Sequence, residues 1–150
     1  MPLIVRRLKV MDLPVIETLE QESSKKHPLR AGWMEHFRKL MEVATSEEPE
    51  GVLVAEYDGR VIGAAVVKTL ESHPFTGVKY GELQAVTVAP GWKGQGIDAR
   101  LVREAEAYLK SRGCETLVTR LPADTSAEDS QLYKGAGYKV VGWELERSLK

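Results

Sequence analysis

Residues 91–98, Gly91-Trp92-Lys93-Gly94-Gln95-Gly96-Ile97-Asp98, carry the clearest chemical content of the chain. They stand between a strand-like run, "LQAVTV", and an amphipathic run that begins at Ile97. Glycines at a strand-to-helix junction let a backbone come close to another group, and the helix amides there suit a phosphate. Asp98 complicates this. A carboxylate in a first helical turn stabilises its own helix by ~0.3–1 kcal/mol but repels a bound anion. Two phosphate motifs fail on these residues. A Walker loop needs Lys and then Ser or Thr after its last glycine, and Ile97-Asp98 follow instead. Residues 94–99 match the dinucleotide pattern GxGxxA, but an antiparallel hairpin precedes them where that fold needs parallel βαβ units. No acidic residue ends the next strand at the required place either.

The elements that position this loop follow from periodicity. "LIVRRLKV" (3–10) has the pattern of a first strand, and Asp12 with Pro14 can open a helix lined by Leu13, Ile16 and Leu19. A loop over 23–32 precedes a second helix, in which Trp33, Phe37, Leu40, Met41 and Ala44 recur at three and four residues. Two β-branched runs flank Asp58-Gly59, the pair that favours a tight hairpin turn. "VKYGELQAVTV" (78–88) makes a third strand, and period-two alternation puts Glu82, Gln84, Val86 and Val88 on one of its faces. After the loop, Leu101, Val102, Ala105, Tyr108 and Leu109 form a helical stripe opposite Arg103, Glu106 and Lys110, and Gly113 stops the helix. "ETLVTRL" (115–121) is another strand, 126–137 a short helix capped by Ser126, and 138–149 one or two closing strands. The order is β-α-α-β-β-β-α-β-α-β(-β), a mixed sheet with helices on its faces.

Composition narrows the function. At 150 residues, 43% apolar and 29% charged, the chain fits one soluble globular domain spanning 1–150. No apolar run approaches the ~18 residues that span a bilayer, and "MPLIVRRLKVMDLP" lacks signal-peptide order, so a cytoplasmic protein is expected. With 21 basic and 22 acidic residues the net charge of −1 argues against nucleic-acid binding. Cys114 is the single cysteine, which excludes an internal disulfide and a cysteine zinc cluster. Three histidines without a paired acidic motif give no expectation of a metal.

The hairpin, third strand, Val88-Ala89-Pro90, glycine loop and long helix together resemble the GNAT acyltransferase superfamily. "LYKGAGYKVVG" is similar to that family's L-Y-x-x-x-G-F/Y-x-x-x-G segment, and "VRRLKVMDLPVIETL" to its usual start, so the resemblance covers nearly the whole chain. It implies an α+β fold layered α/β/α: a mixed, mostly antiparallel sheet with a splayed central strand pair and flanking helices. It also implies acetyl-coenzyme A as co-substrate. The family's pyrophosphate motif falls on Lys93-Gly94-Gln95-Gly96-Ile97-Asp98, with Ala99 completing the cradle of backbone amides. Gly96 matches that motif, Lys93 replaces its Arg or Gln, and Asp98 replaces its final small residue. The backbone at Val86 and Val88 falls where the family contacts pantetheine and thioester.

Acyl transfer to an amine needs a neutral amine, a polarised carbonyl and a proton for the departing thiolate. The resemblance gives Glu82 the general-base role, directly or through water; otherwise it is an exposed strand carboxylate. Tyr133 aligns with the tyrosine that protonates the sulfur, a task suited to a phenol neutral at pH 7; otherwise it is a core aromatic. Ser126 stands where the family often has asparagine. His27, Arg30 and Trp33 fall where the family shapes its acceptor pocket, or are solvated and packing residues, and His73 has no partner nearby in sequence. The expected function is transfer of an acetyl or other acyl group to a primary amine of a small molecule or peptide, with no membrane partner. A homodimer would fit the family's habit of pairing through sheet edges. The alternative is a non-catalytic module of the same fold, in which Asp98 has closed the phosphate site.

Overall fold

The computed structural model describes residues 3–24, 32–121 and 125–150, which form two compact units, 1–120 and 121–150. The first unit contains a five-stranded sheet of order β1-β2-β3-β4-β5: β1 (Leu3–Arg7), β2 (Val52–Tyr57), β3 (Arg60–Leu70), β4 (Tyr80–Val88) and β5 (Thr116–Thr119). Neighbours run antiparallel except β4 and β5, which are parallel. Helices α1 (Leu13–Ser24) and α2 (Trp33–Glu47) cover one face, where Ile16, Phe37 and Met41 pack on Val54, Ala64 and Val66. Helix α3 (Ile97–Ser111) covers the other. This is the layered α+β arrangement expected from the sequence.

The Asp58-Gly59 turn adopts φ of 51° and 74°, the left-handed pair that joins strands with the natural twist. The stripe of α3 buries Leu101, Val102, Ala105 and Leu109. Each leucine so removed from water contributes about 1.5–3 kcal/mol. Its close seat depends on Gly81 of β4, where a Cβ would lie 2.3 Å from Leu109.

Three expectations need correction. The first strand ends at Arg7, because the chain turns into a single 3-10 turn at Val10–Asp12. Asp12 does not cap α1: it is 6% exposed, and its carboxylate accepts from the Arg6 guanidinium at 2.8 Å and the Lys9 N–H at 2.7 Å. Those bonds, the guanidinium's above all, hold its carboxyl below the usual range despite its burial.

The closing strands are the third. The second unit consists of α4 (Ala127–Gly135), capped by the Ser126 hydroxyl accepting from Asp129 N–H at 3.1 Å, and a segment over 138–150 that forms no strand. Val140, Trp143, Leu145 and Leu149 are exposed along it. Strand-favouring residues are not enough, because a strand also needs a partner ladder, and among its described residues this unit has no second strand to supply one. Among the described residues no helix is long and apolar enough to cross a membrane.

Candidate active site

The candidate site is built on β4. Val66 of β3 opposes Ala85 and Val67 opposes Leu83, so Gln84 is an extra residue, a β-bulge. On the other edge, β5 pairs with β4 only from Tyr80 to Leu83. Beyond Leu83 that edge of β4 has no strand beside it among the described residues. Ala89 donates its N–H to Ile62 of β3 at 2.7 Å. By strand alternation the backbone groups of Thr87 face β3 as well, and those of Val86 and Val88 face the open edge.

The bulge also reverses a face. Ala85 packs against the core under α1 and α2, while Val88 opposes Gly63, which meets Ile97 and Leu101 of α3. Val86 and Val88 therefore share the α3 face, whereas Glu82 opposes Lys68 and lines a depression under α2. The expected single face for Glu82, Gln84, Val86 and Val88 is wrong, because the inserted residue shifts the period of two by one.

Past Val88 the chain makes a 3-10 turn at Pro90–Trp92, held by the Trp92 ring against Tyr57 at 5.0 Å. Gly94 and Gly96 take φ of 79° and 80°, and no atom lies within 4 Å of where their Cβ atoms would be. Backbone conformation alone asks for glycine there, and the space beside it stays open. Gly96 leads into α3, whose first amides point back over the turn. Lys93 and Gln95 are exposed and Ile97 is buried. The Asp98 carboxylate accepts from the N–H of Ala99 at 2.8 Å, so it sits on one amide of the expected cradle.

Under α2 lie two depressions of about 360 and 250 Å³, sharing His36, Leu40 and Gln84. Trp33 lines the smaller one with Glu82, and its indole N–H donates to Glu20 at 2.7 Å, tying α2 to α1. Glu82 pairs with Arg120 at 3.5 Å, a partner 74% exposed. Such a pair is worth roughly 0–1 kcal/mol and opens readily.

Glu48, unremarkable in the sequence, lies at the end of the larger depression. It accepts from Thr69 N–H at 2.8 Å, Thr69 Oγ1 at 2.6 Å and Tyr108 Oη at 2.5 Å. Burial pushes its carboxyl up, but these bonds and the nearby Arg112 charge outweigh it and leave the group below the ordinary range. Burial, with the charge of Glu48, raises the Tyr108 phenol. The one sequence signal was a tyrosine within a buried helical stripe, whose hydroxyl must find a partner.

Tyr133 lies on α4 in the second unit, 9% exposed and edge-on to Tyr138 at 5.4 Å. His73 accepts at Nδ1 from Phe75 N–H at 3.2 Å and meets Tyr80 edge-on at 4.9 Å. His27 and Arg30 lie outside the described residues. Among the described residues no group of three or more His, Cys, Asp or Glu could hold a metal ion.

The profile of the Acetyltransferase (GNAT) family matches residues 13–138. This chain belongs to the GNAT family. Over 114 residues it is 31% identical to a mycothiol acetyltransferase of Stackebrandtia nassauensis, a match covering 75% of this chain and 36% of that protein. An uncharacterized N-acetyltransferase of Archaeoglobus fulgidus is 36% identical over 67 residues, 45% of this chain and 46% of that protein. The match thus spans less than half the length of each of these curated relatives. Its fold is that of a putative acetyl transferase of Pyrococcus furiosus, with TM-score 0.77 and 22% identity over 99% of this chain and 100% of the other.

Proposed function

We propose that this chain transfers an acetyl group from acetyl-coenzyme A to the primary amine of a small molecule. One observation carries the proposal. The bulge at Gln84 and the end of β5 pairing at Leu83 leave the backbone of Val86 and Val88 without a paired strand among the described residues, on an edge that runs directly into the glycine turn. An extended pantetheine arm can bond to such an edge as an added strand would. Lys93 to Ala99 then meet the pyrophosphate, with open space at Gly94 and Gly96 and the dipole of the 15-residue α3 behind them.

Acetyl-coenzyme A supplies a thioester, whose carbonyl carbon is open to attack. Glu82, in the depression beyond the bulge, accepts the proton that the amine nitrogen loses as it forms its bond to the acetyl carbon. Release from Arg120 frees the carboxylate for that role. Tyr133 donates a proton to the sulfur as the C–S bond breaks, an assignment resting on the L-Y-K-G-A-G-Y segment. The products are the N-acetyl amine and the free thiol.

A second reading, a non-catalytic module, is favoured by Asp98 alone, whose carboxylate already occupies the amide of Ala99. Calorimetric titration with acetyl-coenzyme A, wild type beside Asp98→Gly, separates the two. Micromolar binding by the wild type, tightened severalfold in the variant, supports transfer. Binding by the variant only would mean that Asp98 has shut the site. In the transferase, Glu82→Gln or Tyr133→Phe should lower turnover roughly 10²–10⁴-fold while sparing coenzyme affinity; turnover within twofold of wild type removes that residue from the mechanism.

A further inference from the structure

The floor of the groove under α2 carries charges in a row. Lys68 of β3 lies directly opposite Glu82 of β4, and Arg120, just beyond β5, pairs with Glu82 from the other side at 3.5 Å. Cross-strand neighbours sit ~4.5–5.5 Å apart at Cβ, yet Glu82 pairs with Arg120 rather than with Lys68. Lys68 is half-buried and has no ion-pair partner among the described residues. Glu82, the acid directly opposite, is engaged by Arg120, which leaves the Lys68 ammonium able to form a charge-assisted hydrogen bond with an anion delivered by a ligand. The other charges on this groove are accounted for: Lys39 faces Glu35 across one helical turn at 3.9 Å, Glu47 is exposed, and Glu48 is committed to Thr69 and Tyr108. Leu40, Val43 and Ala44 of α2 make the roof apolar.

We propose that the acceptor is a compact aminocarboxylate with an apolar side chain, its amine at Glu82 and its carboxylate on Lys68. Lys68 and Glu82 stand opposite each other across the β3–β4 ladder, one lining the larger depression and the other the smaller. The two depressions share His36, Leu40 and Gln84, so one small acceptor can lie across both, and a free amino acid is the shortest that carries both groups. Lys68 is then a specificity residue, and the side chain of the acceptor lies under α2. The inference rests on the transferase reading above.

The test compares amino acids with their decarboxylated counterparts, leucine against 3-methylbutylamine and phenylalanine against 2-phenylethylamine, at saturating acetyl-coenzyme A. Thiol release gives kcat and KM for each. The amino acid should exceed its amine in kcat/KM by roughly ten- to hundredfold, the worth of a charge-assisted hydrogen bond. The Lys68→Met variant should bring that ratio to about one, chiefly through the KM of the amino acid, and Lys68→Arg should restore most of it. Equal use of both members by the wild type, a ratio that survives in Lys68→Met, or spermidine outrunning both would overturn the proposal. Coenzyme binding without transfer to either set overturns it too, and leaves the transferase reading standing. Failure to bind acetyl-coenzyme A at all removes that reading and this one with it.

Discussion

The two ends of α3 are held in opposite ways. Its C-terminal end is locked by side chains: Tyr108 donates to Glu48, Leu109 fills the space left by Gly81, and the Cys114 N–H bonds to the Leu109 carbonyl at 3.0 Å. At its N-terminal end Ile97 is seated by Gly63, but the turn before it is set by backbone, with Gly94 and Gly96 in left-handed conformations, little packed around them, and Trp92 leaning on Tyr57. A helix end that presents free amides cannot also be packed, because packing would cover them. Rigidity has to come from elsewhere on the same element, and the far end supplies it.

The most disruptive way to break this contrast is Glu48→Ala. It leaves the Thr69 and Tyr108 donors without their acceptor, and the loss should be about 2–3 kcal/mol of unfolding free energy, read from the denaturation midpoint. Coenzyme affinity should stay within about threefold, a modest change of roughly 0.7 kcal/mol. Should affinity fall tenfold or more with the same substitution, the two ends are one coupled unit and the division above is wrong. Gly96→Val acts at the other end. A β-branched residue at φ 80° costs about 1–2 kcal/mol. The turn has room to relax, so the visible effect should be on acetyl-coenzyme A affinity, lowered about tenfold (~1.4 kcal/mol), with a smaller change in midpoint. A variant that unfolds more easily yet binds normally would show that the turn serves the fold alone.

The same contrast explains what could be read from the sequence. The Asp58-Gly59 turn, the α3 stripe and the Gly94/Gly96 turn were legible because each is fixed by residues within one element or its immediate flank. The bulge at Gln84 was not. Nothing in "GELQAVTV" marks which residue is unopposed, since that is decided by the register against β3, and one inserted residue was enough to move Val86 and Val88 to the other face from Glu82. Glu48 escaped notice for a similar reason: its partners lie 21 and 60 residues away. Asp12 had the local pattern of a cap, but its carboxylate is taken by the Arg6 guanidinium at 2.8 Å and by the amide of Lys9, which precedes the 3-10 turn, at 2.7 Å. "YKVVGWELERSL" (138–149) has the residue types of one or two strands, but composition does not supply a partner ladder, and no strand forms there.

The smallest effect is a pH dependence that the anchored end should show. Glu48 has its folded pKa below the ordinary carboxylate value, so its share of stability is complete above about pH 4–5 and is lost as pH falls through the lowered value. Asp12 has the same sign on the acid side. Tyr108 is shifted upward, so its share is complete below the ordinary phenol value near pH 10 and is lost as pH rises further. The Tyr108–Glu48 pair therefore bears on both limbs of the stability profile: on the alkaline limb through burial of the phenol and then its bond to Glu48, and on the acid limb through that same bond beside the two from Thr69. The Tyr108→Phe variant should flatten the alkaline limb and, by removing one donor to Glu48, soften the acid limb, while Asp12 preserves part of the latter. Denaturation midpoints across pH 3–11 would show this as a difference curve between the two proteins. A curve that is flat above pH 9 would mean that the Tyr108–Glu48 bond contributes nothing measurable, and that α3 is anchored by Leu109 in its seat at Gly81 instead.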